Sequence, residues 1–246
     1  LSPFAVWLAL CAPIGAAEER GGRLGEAKTA QWRFGVVVRA TGATTGVKAT
    51  LPVPMDWPEQ TVKIVKEEKS PAVGSVTYRT LNGGVKQMIV TIPRLAAGEE
   101  ASAVVTFEIN KREILEPADT AVYQVPKSSR ELAKFLQPSP YIESKDARIV
   151  SLAAEVTAGK EPAWERTAAL FDWVRENVKY EFAEQIKPAV AALKDGQGDC
   201  EELSSLFIAL CRASKIPARA VWVPGHTYPE FYLVDERGQG HWFPCQ

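Results

Sequence analysis

The residues Gly196-Gln197-Gly198-Asp199-Cys200-Glu201-Glu202-Leu203 run from a glycine turn straight into an amphipathic helix. No other stretch of the chain constrains its fold as tightly. After Cys200 the apolar residues Leu203, Leu206, Phe207, Leu210 and Cys211 recur at the i, i+3, i+4, i+7 and i+8 positions of one helix face. Asp199 can cap the N-terminus, and Glu202 sits three residues later, where a capping box places its acid. The pattern fades near Ser214, and Pro217 stops it. Ala218–Val223 then reads as a strand, and Glu230–Val234 as another.

This arrangement puts a cysteine in the first turn of a helix. A helix start presents unpaired N–H groups and partial positive charge. Both favour thiolate, the reactive form of cysteine. Glu201 and Glu202 suit the helix dipole yet oppose a second negative charge at Cys200. Position 226, twenty-six residues on, opens the strand-like stretch His226-Thr227-Tyr228-Pro229-Glu230-Phe231-Tyr232. A helix-start Cys with a strand-start His is the minimal set for thiol nucleophile catalysis. The plainer alternatives are a small buried cysteine, for which Cys211 is the better candidate, and a hydrogen-bonded structural histidine. The chain has two histidines, so a base is either His226 or His241.

These residues resemble the transglutaminase-like superfamily, a branch of the papain-like cysteine enzymes. The resemblance covers roughly residues 146 to 246. It runs through Leu170-Phe171-Asp172-Trp173-Val174, Asn177-Val178-Lys179-Tyr180, Leu193 and the Gly198-Asp199-Cys200 turn. It continues through Leu206-Phe207, Cys211-Arg212-Ala213, Ile216-Pro217-Ala218-Arg219 and His226 to Tyr232, ending on Trp242-Phe243-Pro244-Cys245-Gln246. The resemblance implies an α+β core with Cys200 as nucleophile and His226 as general base and acid. The family's third member is usually an aspartate four residues after a tryptophan like Trp242; here Gln246 stands in that place. A glutamine oxygen can accept from the imidazole N–H and fix its tautomer, but it lacks the charge that stabilises imidazolium. Asp235, in a turn resembling a hairpin tip, and His241, which reads as an exposed turn residue, are the alternatives to Gln246. The Cys200 N–H is the natural oxyanion donor. Tyr180 and Gln197 are further candidates, Tyr180 also reading as a packing residue on a strand.

Before this region the chain reads differently. Residues 30–112 form a β-sandwich-like domain. Arg33–Arg39 and Val62–Lys66 are apolar-rich runs, Met88, Val90 and Ile92 alternate, and so do Val105, Phe107 and Ile109. Asn82-Gly83-Gly84 and Ala97-Gly98-Glu99 mark turns. Residues 113–145 read as a linker with a short helix around Arg130–Leu136. Helices at Asp146–Val156 and Pro162–Val178 open the catalytic-type domain, 146–246. Residues 1–22 resemble a secretory signal and a short linker, with an apolar run from Phe4 to Ala17 and small residues before Glu18. The expected location is therefore secreted or periplasmic, with no membrane span in the mature chain. The family normally continues with more sheet after Gln246, so the core is expected to be truncated at its C-terminus.

A formal net charge of -1 gives no reason to expect nucleic acid or an anionic membrane as partner. No His/Cys/carboxylate motif has metal-ligand spacing, and no glycine-rich phosphate loop is present, so no cofactor or metal is expected. Removing the signal leaves Cys200, Cys211 and Cys245. A Cys211–Cys245 bridge, or oxidation of Cys245 with Cys200, are the pairings left open. The functional expectation is an exported thiol enzyme acting on protein or peptide amide bonds through a Cys200 acyl-thioester, by transfer or by hydrolysis. The alternative is a non-catalytic binding module of the same fold.

Overall fold

Alternation builds the first domain. In the computed structural model, which describes residues 23–81 and 84–245, six strands make two three-stranded sheets. Strand β1 is Arg23–Arg39, β2 Thr44–Val53, β3 Gln60–Lys69, β4 Ser75–Leu81, β5 Val85–Leu95 and β6 Glu100–Leu115. The sheets have the orders β1-β6-β3 and β2-β5-β4. Met88, Val90 and Ile92 on β5 and Val105 and Phe107 on β6 are fully buried, so the sequence alternation marks the packed faces. The Val62–Lys66 run behaves otherwise. A register shift between Ile64 and Lys66 leaves both Ile64 and Val65 exposed. Of the Asn82-Gly83-Gly84 turn, Asn82 and Gly83 lie outside the described residues, as does the whole signal-like segment 1–22.

The chain divides into two compact units, Leu24–Leu115 and the region from Glu116 onward, and each has its own apolar core. In the second unit, the helix expected around Arg130–Leu136 is one short 3₁₀ turn, Ala133–Phe135. Pro138 and Pro140, close behind it, leave no room for further helical turns. Helix α1, Ala147–Val156, starts at Asp146, which accepts from the Arg148 amide and ion-pairs with the Arg148 guanidinium. That guanidinium, together with the amide bond, holds the Asp146 carboxyl at about 2. Helix α2 is Ala163–Asn177, and strand β7 is Lys179–Tyr180. A helix absent from the sequence reading, α3 (Ala189–Asp195), lies between Pro188 and Gly196, whose φ of 63° is the left-handed cap glycine tolerates. Strand β8, Gln197–Gly198, pairs in parallel with β7.

Helix α4, Cys200–Ala213, runs through the middle of this unit. Leu206, Phe207, Leu210 and Cys211 are buried as their spacing predicts. Ser204, Ser205, Ile208, Ala209 and Arg212 are buried too, so α4 is enclosed on all sides rather than along one stripe. Helices α1, α2 and α3 pack on it, as do strands β9 (Ala218–Val223) and β10 (His226–Val234). Strand β11, Gly240–Pro244, completes the antiparallel order β11-β10-β9. The buried Arg212 guanidinium donates to the Ala218 and Gln137 carbonyls and to Ser139 Oγ, fastening the linker to the core. Burial lowers its pKa to about 10.

Candidate active site

The nucleophile candidate stands where the capping box puts it. Asp199 is the N-cap of α4 and accepts from the Glu201 amide at 3.0 Å. Glu202 Oε2 accepts from the Asp199 amide at 3.0 Å, closing the box. Cys200 is therefore the first helical residue, half-buried, beside the positive end of the helix. Gly198 is the only residue type that fits before it, since a Cβ there would overlap Glu202 Cβ.

Two groups touch the thiol. Its Sγ donates to Glu201 Oε2 at 3.2 Å, and the Thr227 amide donates to the sulfur. Burial pushes the Cys200 thiol up, the Thr227 amide pulls the other way, and the carboxylates of Glu201 and Asp199 raise it further. The Glu201 carboxyl is itself raised, first by its hydrogen bond with Asp199 and then by burial. Burial opposes ionisation of Asp199, but its hydrogen bonds to Glu201, Glu202 and the Ala183 amide hold its carboxyl below the usual range. In this arrangement burial, and after it the Glu201 carboxylate, oppose the pull of the helix start on the thiol.

The Thr227 contact brings the start of β10 to the sulfur, and with it the backbone of His226. Ser204 Oγ also donates to the Thr227 carbonyl, pinning the strand to the second turn of α4. Gly225, with φ 76°, makes the turn that joins β9 to β10. The His226 side chain is exposed, and alternation places it on the Tyr228 face of β10, with ring centroids 6.4 Å apart. Among the described residues no hydrogen bond joins the His226 ring to Sγ. Gln246 lies outside the described residues; the chain is described as far as Cys245, whose amide donates to the Pro229 carbonyl.

The alternatives for the third position are occupied elsewhere. Asp235 accepts from the Arg237 and Gln239 amides, as a hairpin-tip residue would, and its Oδ2 lies 3.0 Å from His241 Nε2. The His241 bond holds the Asp235 carboxyl below its usual range. His241 is buried against Tyr123 and Phe243, not exposed in a turn, because it faces the core from β11 opposite Leu233. The cysteine pairings do not form either. Cys200, Cys211 and Cys245 are all free; desolvation pushes the half-buried Cys245 thiol up to about 12, and burial, with Cys245 nearby, pushes Cys211 up as well.

A cleft of about 410 Å³, reaching Gly198 two residues before Cys200, is lined by Glu181, Phe182, Ala183, Glu184, Gln185, Lys187, Gln197 and Gly198. The cleft-wall loop, residues 181–188, gave no sequence signal beyond an apolar Phe182 among charged residues. Tyr180 does not pack: it is exposed on β7 and leads into this loop, while Gln197 lines the cleft from β8. Trp222, 60% exposed, sits opposite Thr227 in the β9–β10 register. Asp199, Cys200 and Glu201 place one potential ligand atom each within 4.8 Å. The two carboxylates there already bond the helix amide and the thiol.

With this geometry in place, residues 150–246 match the transglutaminase-like superfamily. The C-terminal domain is transglutaminase-like. A proposed cysteine protease from Cytophaga hutchinsonii shares the fold over 90% of this chain and 78% of its own, with a TM-score of 0.63 and 20% identity. The periplasmic domain of TgpA from Pseudomonas aeruginosa aligns over 94% of this chain and 76% of its own, with a TM-score of 0.43 and 13% identity. No curated protein matches the chain. Among the described residues no helix is long and apolar enough to cross a membrane.

Proposed function

We propose that the protein is a thiol enzyme that opens protein or peptide amide bonds through an acyl-thioester on Cys200. The supporting observation is the joint placement of Cys200 at the start of α4 and the first residues of β10 against its sulfur. In the proposed cycle, the His226 imidazole turns toward Sγ and takes its proton as the sulfur attacks the amide carbonyl. The Cys200 N–H, at the free end of the helix, stabilises the oxyanion. His226 then returns the proton to the leaving amine, the C–N bond breaks, and the thioester remains. An amine acceptor gives transamidation and water gives hydrolysis, either of them releasing the thiol. Gln246 is assigned the role of orienting His226 through its side-chain oxygen. Export, read from residues 4–17, belongs to the same proposal and would place substrates outside the cytoplasm.

A second reading is a binding module that keeps the fold without turnover. The bond from Cys200 to Glu201 favours it, since it opposes ionisation of the nucleophile. Incubation with a glutamine-donor peptide and a primary amine, followed by mass spectrometry, separates the readings. Amine incorporation supports transfer, and cleavage or deamidation without amine supports hydrolysis. An unchanged peptide across a panel of donors, with Cys200→Ala behaving identically to the wild type, favours the binding module.

A further inference from the structure

Glu202 is a carboxylate with no exposed surface, and each of its oxygens accepts from a different backbone segment. Oε2 takes the Asp199 amide, immediately before the nucleophile, at 3.0 Å. Oε1 takes the Lys187 amide, in the wall of the cleft, at 2.6 Å. A helix needs only the first bond for its cap. The second reaches fifteen residues back to a loop outside α4. The same loop is held at Ala183, whose amide donates to Asp199 Oδ2 at 3.3 Å. Both acids of the capping box thus hold the Ala183–Lys187 stretch, and Gly198 lets the backbone approach Glu202 closely enough for it.

We propose that Glu202 is a positioning residue of the thiol site, a buried strut that sets the cleft wall and the nucleophile turn in one fixed geometry. The proposal rests on the thiol-enzyme reading above. An acyl group must enter with its carbonyl carbon in line with Sγ, and small misplacements of the supporting wall are costly. Glutamine at 202 keeps the size but supplies a single acceptor oxygen, and its amide would face one of the two N–H donors. The change therefore frees the wall from the turn without emptying the site.

The test measures Cys200 alkylation by iodoacetamide and by a blocked dipeptidyl chloromethyl ketone, with amide exchange at Lys187, in the wild type and in Glu202→Gln. Iodoacetamide needs only the thiol, whereas the peptidyl reagent must also use the cleft. The expected result is a tenfold or greater loss of the peptidyl rate relative to the iodoacetamide rate, together with loss of Lys187 protection. Lys187→Pro, which removes the donor on the loop side and fixes the backbone φ there, is expected to give the same split and serves if Glu202→Gln does not fold. Equal slowing of both reagents, or no change in the peptidyl rate, overturns the strut and leaves the thiol site standing. If the wild type itself shows no advantage for the peptidyl reagent, the thiol-enzyme reading fails and this proposal falls with it.

Discussion

At Cys200 two opposing fields meet. The helix start favours thiolate, while burial, and then Glu201, which accepts from the thiol at 3.2 Å, push its pKa up. Removing that charge favours the ionised form. Glu201→Gln is therefore expected to move the pH profile of Cys200 alkylation to lower pH and to speed labelling near neutrality roughly threefold to tenfold. An unchanged profile would mean that Glu201 does not set the thiol's state. The sequence placed Cys200 and both acids correctly because a capping box is a local pattern. It could not decide between dipole and carboxylate, since that depends on a side-chain rotamer. His241 was misplaced for a related reason: a lone histidine near glycines carries no local mark of burial, and only the β10–β11 register turns it inward.

Helix α4 is the element on which the site is built, and its first turn tolerates little change. Gly198→Ala would drive a methyl group into Glu202 Cβ. It is expected to cost about 1–3 kcal/mol, as overpacking typically does. Urea unfolding of the variant checks this, and a midpoint equal to wild type would show that the turn can give way. Periodicity revealed α4, α1 and α2 and the buried alternation on β5 and β6, because each of these patterns is repeated over several residues. Strand β2 carries the same alternation in Val47, Ala49, Leu51 and Val53. The α3 helix escaped because seven residues are too few for a period, although Pro188 and Gly196 bracket it. The cleft wall was illegible for a different reason. Its shape comes from Asp199 and Glu202 accepting amides of a distant loop, and a backbone amide has no sequence signature.

Across the whole molecule, the two cores share no residue. Phe107→Ala empties a fully buried site in the first and is expected to cost about 3–5 kcal/mol there. The alkylation rate of Cys200 under native conditions should stay within twofold of wild type. A large fall in that rate would show that the β-domain supports the thiol site. Strand spacing made the β-rich N-terminal region readable, whereas that region's own role left no chemical motif in the chain. The central claim concerns the second unit alone: Cys200 and His226 act as a pair. The most direct measurement is Cys200 alkylation at about pH 6, below the range of an ordinary thiol, in the wild type and in His226→Ala. The account predicts labelling at least about tenfold faster in the wild type, because the imidazole takes the thiol proton. Equal rates, tracking an ordinary thiol in both, would contradict the pairing and leave the transglutaminase-like domain as a binding module.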